Sequence, residues 1–335
     1  MDASGRGSWL WRGIALVVAV YVVGVLALMA WWDHEPDHFD VAAVAQARAA
    51  AHGHKPVTGS ATTAALAESA RTLLDKRGGY LSNDRLPPGV LMDNVPNWEF
   101  GVLTATRDLA RELRNRFARS QSQSEEDPDL KEADPLFSSP NDRWLLPSSE
   151  GQYRKAIAHV EGYLERLGRG DPNGAQFYAR ADNLADYLDL VSSRLGSLSQ
   201  RLSASVGQLR LEGDAPVDAA ATPAPAPAHG AQVVRTPWTK IDDVFYESRG
   251  YTWALLEQLQ AFEIDFAPTL ERKNAVVSLK QIIRELEEAQ KPLRSPIVLN
   301  GSPFGFFANH SLVMANYISR ANAAVIDLRE LLKRG

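Results

Sequence analysis

The spacing of apolar residues along the chain predicts helices from one end to the other. The longest uncharged stretch covers residues 13–32 and reads GIALVVAVYVVGVLALMAWW. A helix rises about 1.5 Å per residue, so this stretch matches a hydrocarbon core of about 30 Å. Tryptophans, whose rings favour the headgroup zone, lie at both ends: Trp9, Trp11, Trp31 and Trp32. The pattern predicts a transmembrane helix that contacts the lipid bilayer.

The charges beside this stretch predict its direction. Arg6 and Arg12 precede it against the single Asp2, whereas acidic residues follow it and no basic residue appears before Arg48. By the positive-inside rule, residues 1–12 form a cytoplasmic tail and the remainder lies outside, in the periplasm of a bacterial inner membrane. A cleaved signal peptide is the alternative, but the apolar stretch is long for one. We therefore expect a retained single-pass anchor.

Beyond the anchor, composition divides the chain. Residues 33–60 form a juxtamembrane segment, acidic at first and then rich in alanine. Helical spacing continues through 61–211 and 236–335, the two halves of a predicted ectodomain. Residues 212–235 between them are rich in proline and alanine and too poor in bulky apolar groups to fold. Residues 119–148 are polar with four prolines and predict a long surface loop.

The most regular pattern is a seam of apolar positions at steps of four and three. Its members are Phe177, Ala181, Leu184, Leu188, Val191, Leu195, Leu198, Leu202, Ser205 and Leu209. Such a repeat predicts a long helix over 175–211 with coiled-coil-like packing, either within the chain or between two chains. No convincing run of alternating strand residues is present. The predicted fold class is all-α, an elongated helical bundle.

Composition excludes several classes of function. The formal net charge is −5 and the pI is near 5.9, so the chain lacks the basic footprint of a nucleic-acid-binding protein. It has no cysteine, which excludes disulfides, thiolate metal sites and a cysteine nucleophile. The absence of free thiols also suits an oxidising compartment.

One segment matches the residue types of a catalytic motif but not the helical structure that the motif requires. The run from His34 through Glu35 and Pro36 to His38 fits the zinc-protease pattern H-E-x-x-H. That chemistry requires both histidines on one face of a continuous helix, and Pro36 interrupts any helix that continues from the membrane span. We therefore interpret the segment as an acidic spacer, although loose metal binding remains open.

Other chemistry-bearing patterns are weak. No G-x-S-x-G, S-x-x-K or phosphate-binding loop is present, and the remaining histidines are scattered. The carboxylate pairs Glu125-Glu126 and Asp242-Asp243 are adjacent in sequence and so point apart, which favours a solvated acidic face. We predict no catalytic residue, no cofactor and no metal site.

The last predicted helix has a polar face. Asn309, Asn316, Arg320 and Asp327 follow one another at steps of seven, four and seven, which places them on one side of a helix. This face could form a polar groove for a ligand or partner. A buried hydrogen-bonded network, or simply the wet side of the helix, explains it more economically.

The segment before this helix, NGSPFGFFANH, carries Phe304, Phe306 and Phe307 among glycines and a proline. Three phenylalanines there either plug the core or offer an anchor to a partner. We favour the core-plugging interpretation because large aromatic residues are usually buried.

Several stretches resemble an uncharacterised proteobacterial family, catalogued as domain of unknown function 2333. They include GGYLSNDRLPPGVLMDNVPNWEFGVL, RSQSQSEEDPDL, ARADNL, RLGSLSQRLSASVGQ, TPWTKIDDVFYESRG and SPFGFFANHSLVMANYISRANAAVIDL. The resemblance covers nearly all of the chain from Gly78 onward. It implies a Gram-negative inner-membrane protein with a single anchor, and it carries no activity, cofactor or catalytic residue.

These observations favour a non-catalytic envelope adaptor or assembly factor that binds another envelope protein and that could also self-associate. A ligand-binding or sensing ectodomain is the first alternative, and it would need a partner because a tail of residues 1–12 cannot hold an output domain. An envelope hydrolase is the second, but converging acids or a nucleophile are not evident in the sequence.

Overall fold

The computed structural model describes residues 4–119, 125–171, 174–210, 232–295 and 297–334, which form eleven α-helices and one pair of short strands. The helices are α1 (Ser4–Trp32), α2 (Val41–Ala51), α3 (Ser60–Asp75), α4 (Asn94–Glu112), α5 (Pro128–Phe137), α6 (Ser149–Arg169), α7 (Ala181–Ser203), α8 (Ile241–Asp265), α9 (Ala267–Arg272), α10 (Val276–Ala289) and α11 (His310–Lys333). The strands β1 (Gln208–Arg210) and β2 (Gln232–Val234) pair in antiparallel register. The predicted all-α fold is confirmed, and the strand pair is an addition to it. Most of the predicted linker, residues 212–231, lies outside the described part.

Helix α1 stands apart from the packed core. Over Trp9–Trp32 it is long and apolar enough to cross a membrane, and none of its most apolar window is buried against other residues. It is the one such helix among the described residues. Its apolar surface therefore contributes nothing to the core of the bundle.

The predicted seam forms the buried face of α7. Its buried members are Leu184, Leu188, Val191, Leu195, Leu198 and Leu202. Helix α7 packs along α11 in antiparallel orientation, where the Oγ atoms of Ser199 and Ser319 lie 2.5 Å apart and Asp189 pairs with Arg329. The seam thus packs within the chain, while coiled-coil supercoiling stays a prediction.

The predicted length of this helix, 175–211, was wrong at both ends. Upstream, the amide of Tyr178 donates to the carbonyl of Phe117 at 2.7 Å and holds the chain outside the helix. Downstream, Gly207 has φ = +97°, a conformation that L-residues rarely adopt, and the chain enters β1. Tertiary hydrogen bonds and one glycine therefore override the heptad repeat.

The predicted loop over 119–148 contains α5. Asp127 caps this helix by accepting from the amides of Asp129 (3.0 Å) and Leu130 (3.2 Å), and Pro128 occupies its first position. Leu130 and Phe137 are buried on the face that meets α6. Pro128 thus begins a helix here and Pro135 lies inside it, so the prolines do not exclude a helix.

Helices α4 and α8 cross closely at the centre of the bundle. Gly250 lies against the carbonyl of Trp98, and Gly101 lies against the backbone of Glu247 and Tyr251, so a Cβ atom at either glycine would clash with backbone. Helix α8 also packs against α3, α7 and α10. Both predicted halves of the ectodomain therefore contribute to one hydrophobic core.

The predicted juxtamembrane segment is part of this packing. Val41 and Ala45 of α2 are buried in a small cluster with Ala61 of α3 and Ala261 of α8. Asp40 caps α2 by accepting from the amide of Ala43 at 2.9 Å. Residues 33–60 thus pack against the bundle, and we call them the strap.

Candidate functional site

The predicted polar face of α11 lies on the surface. Asn316, Arg320 and Asp327 are exposed. Nη2 of Arg320 lies 2.6 Å from Oε1 of Glu285 on α10, which ties one member of the face to the neighbouring helix. The structure therefore favours the wet side of a helix over a polar ligand groove.

Asn309 belongs to a different environment from the other three. It is buried, and its side-chain oxygen accepts from the amide of Leu312 at 2.9 Å, which caps α11. Its side-chain nitrogen donates to Oδ1 of Asn300 (2.7 Å) and to the carbonyl of Gly301 (2.8 Å). Asn309 thus fastens the base of the preceding loop to the start of α11.

The three phenylalanines of this loop point into solvent. Their relative exposures are 102% for Phe304, 100% for Phe306 and 69% for Phe307, so the core-plugging interpretation was wrong. The base of the loop is closed by hydrogen bonds from the amide of Gly301 to the carbonyl of Ala308 (3.0 Å) and from that of His310 to Leu299 (2.9 Å). This closure projects residues 302–307 away from the bundle. We call residues 302–307 the aromatic loop.

A cleft that the sequence does not predict lies where the strap crosses α8. It encloses about 390 Å³ between residues 33–38, Trp98 of α4 and residues Arg249 and Trp253 of α8. The indole N–H of Trp253 donates to the carbonyl of Pro36 at 3.1 Å. The ring of His38 stacks on Trp253 with centroids 5.6 Å apart. The H-E-x-x-H segment therefore forms a wall of the cleft and lies outside any helix.

An ion pair and a histidine–carboxylate contact hold this wall in place. Nε of Arg249 lies 2.6 Å from Oε1 of Glu35, and the same guanidinium donates to the carbonyl oxygens of Ala289 and Lys291 at 3.1 Å each. Nδ1 of His38 lies 2.6 Å from Oε1 of the fully buried Glu257. Burial raises the pKa of Glu257, while the contact with His38 opposes that rise.

A second buried pair lies beside the cleft, which Lys76 lines. Nζ of Lys76 is 2.5 Å from Oε1 of Glu99, and both side chains are almost fully buried. Glu99 also accepts from the amides of Leu81 and Ser82 at 2.8 Å each. Burial raises the pKa of Tyr246, which also lines the cleft, to about 12.

The lining of the cleft combines two indole rings with charged side chains. Glu35 pairs with Arg249 in the cleft, and the lining within the described residues includes no serine, threonine or cysteine. In the parts of the chain that the structure describes, no group of three or more His, Cys, Asp or Glu could hold a metal ion. Indole faces beside paired charges suit a small polar molecule.

Comparison with known proteins places the chain in a family. The model of a family described as "Uncharacterized protein conserved in bacteria (DUF2333)" matches residues 4–335. The chain belongs to the DUF2333 family. This match confirms the resemblance seen in the sequence and extends it through α1. No curated protein and no solved structure matches this DUF2333 chain.

The sequence pattern missed the cleft because its walls come from distant parts of the chain. Glu35 and Arg249 are 214 positions apart, and His38 and Glu257 are 219 apart. One local signal is present, a cluster of histidines and acids directly after the predicted anchor, but its interpretation as an acidic spacer does not predict the cleft. In this DUF2333 chain the same cluster is docked on α8.

Proposed function

We propose that this protein is a single-pass anchor of the bacterial inner membrane whose periplasmic helical bundle serves as an adaptor for another envelope protein. Helix α1 supports the proposed membrane anchor. Its apolar surface over Trp9–Trp32 is not buried against other residues, and such a surface is stable in the lipid core of a bilayer. Arg6 and Arg12 before the span, with acidic residues after it, support a cytoplasmic N-terminus.

The observation that carries the adaptor role is the exposure of the aromatic loop. Three adjacent large rings in water are unfavourable, because each fully buried side chain of this kind contributes about 1.5–3 kcal/mol. Aromatic side chains on a constrained loop are typical anchors of protein interfaces. The fastened base, through Asn309 and Gly301, reduces the entropy lost when a partner binds.

The surroundings of the loop also suit a protein partner. Helix α11 continues from the loop and exposes Val313, Asn316 and Arg320 on its first turns. An apolar centre with a polar rim is the usual anatomy of a non-obligate interface. No reacting group is needed for this role, and we propose no catalytic activity.

Photocrosslinking in native membranes tests the proposal. A benzoylphenylalanine residue at Phe306 in the full-length protein is expected to give one discrete protein adduct, while the same probe at Val277, exposed on α10, gives none. The adduct should disappear when Phe304 and Phe307 are both replaced by serine. An adduct of twice the chain mass would identify a second copy as the partner.

Two results would overturn the adaptor proposal. One is an adduct with lipid alone at position 306. The other is a protein adduct that survives the double serine substitution, since the rings would then not determine binding.

The cleft beside the strap favours a second candidate function, ligand binding that is passed to a partner. Its volume of about 390 Å³ suits a small polar molecule stacked on Trp253. A thermal-shift screen of amino acids, sugars and peptidoglycan fragments tests this candidate. Stabilisation of the full-length protein that is lost in His38→Gln would support it, and a screen without any shift would count against it.

A further inference from the structure

Helix α1 leaves the bundle at a defined end. The indole ring of Trp32 packs on Gly78, at a distance that leaves no room for a Cβ atom there. One turn earlier, Met29 and Ala30 line a cleft of about 160 Å³ together with residues 91–94. Gly78 and residues 91–94 therefore lie against the final turns of α1. We call this end of the bundle the α1 end.

The directions of α4 and α8 show which loops of the bundle lie at the α1 end. Asn97 at the start of α4 donates to Asp243 at the start of α8 (3.0 Å), so both helices begin at the α1 end. The C-terminal end of α8 lies at the opposite end, where Asp265 accepts from the amide of Gly59 at 2.8 Å. Loops can thus be assigned to one end or the other.

Besides the aromatic loop, which precedes His310 and so lies near Phe245 at the start of α8 (ring centroids 6.5 Å apart), two loops at the α1 end expose large apolar side chains. The first presents Leu86 (77% exposed), Val90 and Leu91, and the second presents Trp144, Leu145 and Leu146 (94% exposed). Hydrogen bonds join the loops: Nη2 of Arg85 donates to the carbonyl of Asp142 (3.0 Å), and Nδ2 of Asn83 to that of Arg143 (2.8 Å). They therefore form one surface, which we call the apolar rim (residues 85–91 and 142–147).

The opposite end lacks such a surface in its described loops. The exposed large apolar side chains of the described residues there are Val57 (37%), Ile264 (46%) and Val277 (75%), single residues on a loop, on α8 and on α10. Water solvates both ends equally if the bundle stands free of the membrane. The asymmetry indicates that something apolar covers the α1 end.

We infer that the apolar rim inserts into the headgroup and acyl boundary of the bilayer that α1 spans, and so fixes the bundle upright on the membrane surface. This inference rests on the proposed anchoring by α1. The occupant is lipid because Leu91 flanks the last turns of α1, so the rim continues the lipid-facing surface of that helix. Trp144 suits the interface, and the exposed Arg85 and Arg143 at the base of the rim suit lipid phosphates.

The chain has no cysteine, so a fluorophore attached to a single introduced cysteine reports the environment of that residue alone. Full-length Leu86→Cys and Leu146→Cys would be labelled with the fluorophore NBD and reconstituted into phosphatidylethanolamine/phosphatidylglycerol vesicles. Lipids with a quencher near the headgroup are expected to lower their fluorescence about twofold, the response of a probe buried at the interface. Val277→Cys, equally exposed on α10, serves as the matched control and should not be quenched.

A third probe separates this inference from the proposed anchor. Val22→Cys lies within α1 and should be quenched by lipids labelled deep in the acyl chains. Quenching at position 22 without any at 86 and 146 would overturn membrane insertion of the rim and leave the anchor intact. An unquenched probe at position 22 would overturn both.

Discussion

Nε of Arg249 lies 2.6 Å from Oε1 of Glu35, and a second hydrogen bond joins Nη2 to Oε2, so the segment that follows α1 is fastened to the middle of α8. The side chain of Arg249 is 5% exposed. A buried guanidinium without its carboxylate is strongly unfavourable. This pair therefore couples the position of α1 to the core of the bundle.

Glu35→Gln is expected to lower the free energy of unfolding by about 1–2 kcal/mol, because Arg249 retains its carbonyl partners but loses its counter-charge. Hydrogen exchange should accelerate over residues 33–40 as the strap loosens. Glu263→Gln is the control, since Glu263 pairs with the exposed Lys280 and should leave both measurements unchanged. Unaltered exchange over 33–40 would mean that the pair does not hold the strap.

Gly250→Ala is expected to lower the free energy of unfolding by about 2–3 kcal/mol, because the new Cβ would overlap the carbonyl of Trp98 and push α4 from α8. Chemical denaturation of the full-length protein in detergent measures the change. Gly196→Ala on α7 is the matched control, where the nearest atom is 3.7 Å away. There a gain of up to about 1 kcal/mol follows from helix propensity. Equal effects at the two glycines would contradict the close crossing.

Glu257→Gln is expected to flatten the pH dependence of stability. Burial raises the pKa of Glu257, so the folded protein holds a proton that the unfolded chain releases near pH 4.5. The free energy of unfolding should therefore fall as the pH rises from that value through the folded pKa, by up to about 1.4 kcal/mol per pH unit. The variant cannot titrate and should lose this fall. Parallel stability curves for the two proteins between pH 4.5 and 8 would refute it.

Serine at Phe304, Phe306 or Phe307 is expected to change the free energy of unfolding by less than about 0.5 kcal/mol, because these rings contact mainly water. Phe262→Ala provides the contrast. Phe262 is fully buried among Phe117, Tyr187 and Phe266, and its truncation should cost about 3–5 kcal/mol. A large loss of stability at position 306 would restore the core-plugging interpretation.

Replacing residues 211–231 with Asn-Gly is expected to preserve the fold. Arg210 and Gln232 are paired partners in the antiparallel strands, so a two-residue turn can join them. A shorter closed loop should raise the free energy of unfolding by up to about 2 kcal/mol. Thermal melting followed by far-UV circular dichroism measures the change. A lower melting temperature would show that the linker contributes contacts to the bundle.

The local features of this protein were determined by its sequence. The uncharged run over 13–32, the buried heptad positions Leu184 to Leu202 and the final helix all followed from periodicity, because a helix repeats its environment every three to four residues. The caps at Ser148 and Asn309 are equally local, since each side chain bonds to an amide three residues ahead. Such features need no knowledge of the remaining chain.

Tertiary structure alone decided where the surfaces and the cleft lie. Glu35 meets Arg249, and His38 meets Glu257, only after α8 has packed beside the strap. The exposure of Phe306 depends on hydrogen bonds that close the base of its loop, and hydrophobicity alone predicts the opposite. Burial and charge pairing depend on neighbours from many parts of the chain, and the spacing of residues along the sequence does not specify those neighbours.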